Sequence, residues 1–215
     1  MEWAEWGPIY LEIMDDLGFD IRADMKSAEI LSKLVLSKRI PDYSTIVEKL
    51  GQRVSIAGAA ASLEDDVSTL SKGETVISAG SATARLIGMG IVPDVIVTDL
   101  DGDVSSEIEA IGKGALAFIH AHGDNITKIE GVVPILDGPF VPTVQCKPFG
   151  NVYNFGGFTD GDRALIMASH FGVRSIRTIG WDLDRPYPKE GSDPSMKRRK
   201  LLWAKEILSR CIDRT

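Results

Sequence analysis

The spacing of apolar positions changes character near residue 50. Before that point the period is helical. Residues 8–17 place Ile9, Ile13 and Leu17 on one face, and Gly18 stands where a helix would end. Residues 23–38 repeat the spacing with Ile30, Leu31, Leu34 and Val35, and Pro41 breaks the chain. Residues 43–50 form a third, short helical stretch closed by Gly51. No strand pattern occurs here. Residues 1–51 are therefore expected to form a helical extension, suited either to pairing in a homodimer or to closing over a site.

From Arg53 onward, short apolar runs alternate with helical patterns. Strands are expected at 54–57, 75–78, 95–98, 116–119 and 175–179. Helices are expected from Ser62 through Leu70, at 82–89, near 105–111, at 160–171 and at 195–211. Stretches 133–136, 143–146 and 153–155 are extended but less regular. Alternating strands and helices predict an α/β fold, a mainly parallel sheet flanked by helices, over residues 52–215. In such a sheet, ligands bind at the C-terminal strand ends. The unusual loops all fall there: 58–62, 80–81, 99–103, 120–125 and 181–182.

The sharpest feature is the apolar run Val95-Ile96-Val97 ending in Thr98-Asp99-Leu100-Asp101-Gly102-Asp103. In extended chain, Asp99 and Asp101 project to the same side. Left bare they repel, whereas a hard divalent cation such as Mg²⁺ accepts a few carboxylates together with phosphate oxygens. A solvated acidic turn is the plain alternative. Gly58-Ala59-Ala60-Ala61-Ser62 is small enough for backbone amides to approach an anion at a helix start, with Ser62 as cap or added donor. In Asp160-Gly161-Asp162-Arg163, one carboxylate can cap the following helix while the other reaches metal or substrate, and Arg163 suits phosphate. His120-Ala121-His122-Gly123-Asp124-Asn125 has too few imidazoles for zinc and fits Mg²⁺ or substrate better. Lys197 shares a helix face with apolar Leu201, so Lys197 or Arg198 can meet a triphosphate, while Arg199 and Lys200 read as a solvated face. Trp181, at a strand end, can flank an aromatic ligand.

Bulk properties narrow the field. The chain has 215 residues and a net charge of −7, which leaves no general basic surface for nucleic acid. Its two cysteines, Cys146 and Cys211, provide neither a disulfide framework nor zinc spacing and fit a reducing cytoplasm. The acidic start, Met1-Glu2-Trp3-Ala4-Glu5, lacks a signal-peptide pattern, and no apolar run approaches ~20 residues, so no membrane span is expected. No GxGxxG follows the first strand, which argues against a dinucleotide dehydrogenase.

Four ordered stretches carry a family resemblance: residues 88–102, residues 120–125, Gln145-Cys146, and residues 154–163 with Asn154-Phe155-Gly156-Gly157-Phe158-Thr159-Asp160-Gly161-Asp162-Arg163. Together they resemble the archaeal 6-hydroxymethyl-7,8-dihydropterin pyrophosphokinases, whose fold is related to the catalytic domain of thiamine pyrophosphokinase. The resemblance runs from about Val54 to the last helix. It implies a Rossmann-like catalytic domain and Mg²⁺-dependent transfer of diphosphate from ATP to a pterin hydroxymethyl group with release of AMP, in folate- or methanopterin-type cofactor synthesis. Under that reading Asp99 and Asp101 hold Mg²⁺ with Asp103 or Asp182 assisting. Gly58, Ser62, Ser81, Lys197, Arg198 and Arg163 face the nucleotide. His122, Asp124, Asn125, Asp160, Asp162 and Asp182 hold the pterin or activate its hydroxyl. The sequence departs from the family text at Ala79-Gly80-Ser81-Ala82, where Ala-Asp-Gly-Ala is usual, and in the first loop, where Gly-Pro-Ser is usual. A diphosphokinase for thiamine or another heterocycle, and a non-catalytic nucleotide-binding module, are the alternatives.

Overall fold

The computed structural model describes residues 1–185 and 193–212, with the side chains of Cys211 and Ile212 outside that description. Six strands, β1 (Arg53–Ala57), β2 (Thr75–Ala79), β3 (Val95–Thr98), β4 (Leu116–Ala121), β5 (Phe140–Val144) and β6 (Ser175–Ile179), form one sheet in the order β5-β4-β3-β2-β1-β6. Every strand pairing is parallel. All C-terminal strand ends therefore lie along one edge, as the alternation of elements predicts.

Strand alternation sorts the core into two faces. Val54, Ile56, Ile77, Val95, Val97 and Phe118 point to one side. There they pack against Ile46 and Leu50 of α3 (Tyr43–Leu50) and Ala164 and Met167 of α8 (Asp160–His170). Ile96, Ala117, Ile119 and Ala121 point to the other side and meet α1 (Trp3–Leu17) and α2 (Ile21–Leu34), including Trp6, Ile13, Ala28 and Leu31. The N-terminal helices thus share the core of the sheet rather than standing apart from it. The remaining helices are α4 (Leu63–Asp66), α5 (Ala82–Gly88), α6 (Val104–Gly112), α7 (Ile126–Val132) and α9 (Pro194–Ile212).

Several boundaries differ from those expected, each for a local reason. α1 starts at Trp3 rather than residue 8, because Glu2 and Glu5 form a capping box and the first turns bury Trp6. Pro8 sits inside it. The expected helix from Ser62 through Leu70 is only the short α4 followed by a 3-10 turn, Val67–Thr69. Asp66 is drawn away to accept from the Gly180 amide at 2.8 Å. α2 ends at Leu34 and passes into a 3-10 turn, Val35–Ser37. β5 begins earlier than expected and contains Pro142, tolerated because this is an edge strand. Stretch 133–136 is mostly a 3-10 turn (Val133–Ile135), and Tyr153 makes one isolated bridge to Thr143. Among the described residues, no helix is long and apolar enough to cross a membrane.

Candidate active site

All four residues of β3 are buried, and the strand stops at Thr98, whose hydroxyl accepts from the Leu100 amide at 2.9 Å and donates to Glu107 at 2.7 Å. Leu100 adopts a left-handed conformation, φ 61°, with a fully buried side chain. That backbone costs on the order of 1–2 kcal/mol for a residue with a Cβ, offset by the buried leucine and the Thr98 bond. The carboxylates of Asp99 and Asp101 are thus gathered around a turn rather than along an extended strand. A third carboxylate, Asp160 at the start of α8, completes the cluster. One oxygen from each of the three lies within 4.8 Å of the others. Gly80, φ 50°, explains how Asp160 fits: a Cβ at residue 80 would stand 2.6 Å from the Asp160 Oδ2. The departure at Gly80 therefore leaves room for a carboxylate arriving from α8.

Asp103, the expected third ligand, is otherwise engaged. It caps α6, accepting from the Ser105 amide at 3.1 Å, the Ser105 hydroxyl and the Ser106 hydroxyl at 2.7 Å. These bonds lower its pKa, and it stands outside the carboxylate cluster.

Three carboxylates in so small a space cannot all ionise without a counter-charge. Burial, then the charge of Asp99, pushes Asp160 well above the usual range, with Arg163 opposing. Burial also acts to raise Asp99, but the hydrogen bond and charge of His122, with Arg163 behind, hold it well below that range. An all-oxygen, partly protonated cluster is what a hard divalent cation would complete, displacing the proton. Behind the loop, burial and the charges of Asp99 and Asp101 push Glu107 up to about 7, against a lowering Thr98 bond, and its Oε2 has no partner. In the unfolded chain this carboxyl titrates near 4.5. The folded state therefore binds the proton more tightly, so its stabilising effect is complete below the unfolded value and is lost as pH rises through about 7. In metal-free thermal melts between about pH 5 and about pH 8, Glu107→Gln is expected to remove about 2.5 kcal/mol of the pH dependence. A variant whose stability follows pH as steeply as wild type would rule this out.

At the start of α8 the two aspartates separate in role. Asp162 is nearly fully buried and closes a capping box, accepting from the Phe158 amide at 2.6 Å, the Thr159 amide at 2.8 Å and the Thr159 hydroxyl. Both its oxygens accept in that cap, and the residue also lines the main cavity. Arg163 donates to Asp160 at 3.2 Å and to Gln145 at 3.1 Å. It orients Asp160 instead of lining the main cavity. Gly157, φ 92°, permits this approach, since a Cβ there would stand 2.7 Å from the Arg163 backbone.

The loop after β4 braces the carboxylates from the other side. His122 Nε2 lies 3.3 Å from Asp99 Oδ2, while its Nδ1 accepts from the Asp124 amide at 3.3 Å. Asn125 is buried and donates to the backbone carbonyls of Asp99 and His120, both at 2.7 Å. Its carbonyl oxygen accepts from the His122 amide at 3.0 Å. It ties β3 to β4 and has no amide hydrogen left over for substrate. Asp124 is exposed at the cavity edge.

The strand ends enclose a cavity of about 430 Å³ that contains Asp99, Asp101 and Asp160. Gly58, Ser81 and Asp182 line it, as does Trp181, whose indole packs against the glycines: a Cβ at Gly58 would lie 2.8 Å from its Cδ1. Ser62 is not in the lining, because its hydroxyl donates to Asp66 at 3.0 Å and the short acidic α4 offers no anion site. The Gly58 and Ala60 amides are taken by the Ile179 and Gly180 carbonyls. Asp182 accepts from the amides of Asp184 and Arg185, both at 2.9 Å, apart from the carboxylate cluster. Positive charge comes from Arg185, Lys197 and Lys200. Arg198 is exposed and absent from the lining, whereas Lys200, read from the sequence as solvated, lies one helical turn from Lys197 and faces inward.

A family model described as 6-hydroxymethylpterin diphosphokinase MptE-like matches residues 29–187. The chain belongs to this family. A Pyrococcus furiosus protein named 6-hydroxymethyl-7,8-dihydropterin pyrophosphokinase is 38% identical, over 97% of this chain and 93% of its own. Relatives with the same name from Methanothermobacter thermautotrophicus and Methanocaldococcus jannaschii are 36% and 34% identical, over 96% and 97% of this chain and 92% and 95% of theirs.

In this MptE-like chain a second, smaller cavity of about 80 Å³ adjoins the first and shares Asp99, Phe158 and Lys200 with it. Its other walls include Gln145, from one of the stretches that carry the family resemblance, and Phe19, Ala23 and Asp24, which no motif in the sequence marks. Of those three, the carboxylate of Asp24, just inside the start of a helix, is a signal that reads equally as a favourable helix charge.

Proposed function

We propose that this protein transfers diphosphate from ATP to the hydroxymethyl group of 6-hydroxymethyl-7,8-dihydropterin, with Mg²⁺, releasing AMP. The observation that carries the reading is the cluster of Asp99, Asp101 and Asp160 on the wall of a cavity whose basic groups include Lys197 and Lys200. The names of the three relatives support the same reaction.

Asp99, Asp101 and Asp160 would hold the cation, which, when bound, supplies neutralising charge to the polyphosphate. Lys197, Lys200 and Arg185, which line the same cavity, would balance the remaining phosphate charge. Gly58, Ser81 and Trp181 would border the nucleotide. His122 and Arg163 fix the orientation of Asp99 and Asp160, so the carboxylates do not reorganise as charge develops. The pterin hydroxyl oxygen attacks the β-phosphorus in line. The bond from that phosphorus to the oxygen bridging it to AMP breaks, AMP leaves with that oxygen, and the hydroxyl proton passes to water. Positioning and electrostatics carry most of phosphoryl transfer, so a dedicated base is unnecessary.

The test is AMP release from ATP and Mg²⁺ with and without the pterin. Pterin-dependent AMP supports the reading. AMP formed with thiamine or another hydroxymethyl heterocycle in place of the pterin moves the acceptor, and nucleotide binding with no AMP from any acceptor favours a binding module.

A further inference from the structure

We propose that the turn joining α1 to α2, with Phe19, Ala23 and Asp24, forms the wall of the acceptor site and selects its planar heterocycle. This rests on the diphosphokinase reading above. The smaller cavity meets the larger one at Asp99, Phe158 and Lys200. A hydroxyl held in the smaller cavity therefore faces a phosphate bound at the carboxylates, which is the arrangement an in-line transfer needs. Phe19 stacks on Phe158 with ring centroids 6.3 Å apart and planes 27° from parallel. The Lys200 ammonium lies 5.3 Å and 5.9 Å from the two ring centroids. The two rings stand among polar lining groups that include His122, Asp124 and Gln145, and flat rings beside hydrogen-bonding groups suit a planar ligand with hydrogen-bonding edges.

The turn is fastened to the carboxylate cluster by more than proximity. Asp24 is buried and accepts from the Gly123 amide at 2.7 Å, the Tyr10 hydroxyl at 2.8 Å and Gln145 at 2.7 Å. Gln145 in turn accepts from Arg163, which donates to Asp160. Gly123 has no room for a side chain, since a Cβ would stand 2.7 Å from that of Ala23. The β4 loop is thus moulded on α2. The family model begins at residue 29, so the turn lies outside it, while alignments covering 96–97% of this chain reach the turn in all three relatives.

Phe19 is half-buried and outside the lining of the larger cavity, so it separates the two ligands. The experiment measures pterin-dependent AMP release by wild type, then equilibrium binding of the pterin and of a non-hydrolysable ATP analogue, with Mg²⁺, to wild type, Phe19→Ala and Phe19→Tyr. Expected is a loss of about tenfold or more in pterin affinity for Phe19→Ala, near-complete recovery in Phe19→Tyr, and nucleotide affinity unmoved, which also shows the variant folded. Wild-type catalysis with pterin affinity unchanged in Phe19→Ala overturns the wall and leaves the reaction standing. Equal weakening of both ligands also overturns it. A wild type that neither binds the pterin nor releases AMP with it overturns the functional reading, and the wall with it.

Discussion

Asp101→Asn is expected to lower pterin-dependent AMP release at least ~100-fold while leaving the fold intact. Asp101 is exposed, and its amide, which donates to Asp99 at 3.0 Å, is kept in the variant. What is lost is one of three charges that would hold the cation. The Mg²⁺ concentration for half-maximal rate should rise as well, and the metal-free protein should melt no lower than wild type because like-charge repulsion falls. Asp103→Asn provides the contrast. It changes a helix cap for another good capping residue, so turnover should stay within a few-fold of wild type. Steady-state assays of both variants across a Mg²⁺ series decide between the cluster of Asp99, Asp101 and Asp160 and a sequential trio ending at Asp103. Equal losses in the two would restore Asp103 to the site, and near-normal turnover in Asp101→Asn would remove Asp101 from it.

Asp24→Ala should cost about 3–5 kcal/mol of stability, a fall in melting temperature on the order of 10 °C for a domain of this size. The Asp24 carboxylate answers three donors drawn from α1, the β4 loop and the segment after β5. Truncation leaves the Tyr10 hydroxyl and the Gln145 amide buried without their partner. Burial, the largest of the causes that hold the Tyr10 hydroxyl far above its ordinary pKa, persists in the variant, so that group does not ionise to adapt. Thermal melts at fixed pH measure the loss directly. A change under about 1 kcal/mol would mean water replaces the carboxylate and that the network contributes little. Since Gln145 also holds Arg163, catalysis in any folded fraction should fall as well.

Strand and helix types were legible where one period dominates over a whole element. The β-branched run of β3 and the short amphipathic α3 needed no partner to be recognised, and both fall at the expected bounds. The start of α1 is hidden in the sequence because Pro8 resembles a first-turn residue, whereas glutamates form the cap. In the candidate site, Asp99 and Asp101 stand out because a buried apolar strand ends abruptly in paired carboxylates, a pattern that fits cation binding as well as a solvated turn. Asp103 follows the pair directly but is held by the first turn of α6, and Asp160 arrives from α8 across the sheet. Asp162 and Asn125 are chemically capable by type, yet the Asp162 oxygens accept from Phe158 and Thr159 and both Asn125 amide hydrogens go to the Asp99 and His120 carbonyls, while Arg163 spends its terminal nitrogens on Asp160 and Gln145 and keeps only Nε without a partner. Lys200 differs from Arg198 only in helical phase, and that phase counts once α9 is seated beside the cavity.

The sequence by itself determined the α/β class, the parallel alternation of elements, the edge where ligands gather and the residue types able to bind cation or phosphate. These follow from periodicity and from the chemistry of single side chains, which are local properties. Only the tertiary structure decided which carboxylate completes the cluster, which polar groups keep a free valence, and that the N-terminal helices wall a second cavity. A side chain's donors and acceptors are free or occupied according to neighbours distant in sequence, and folding alone brings those neighbours within hydrogen-bond reach.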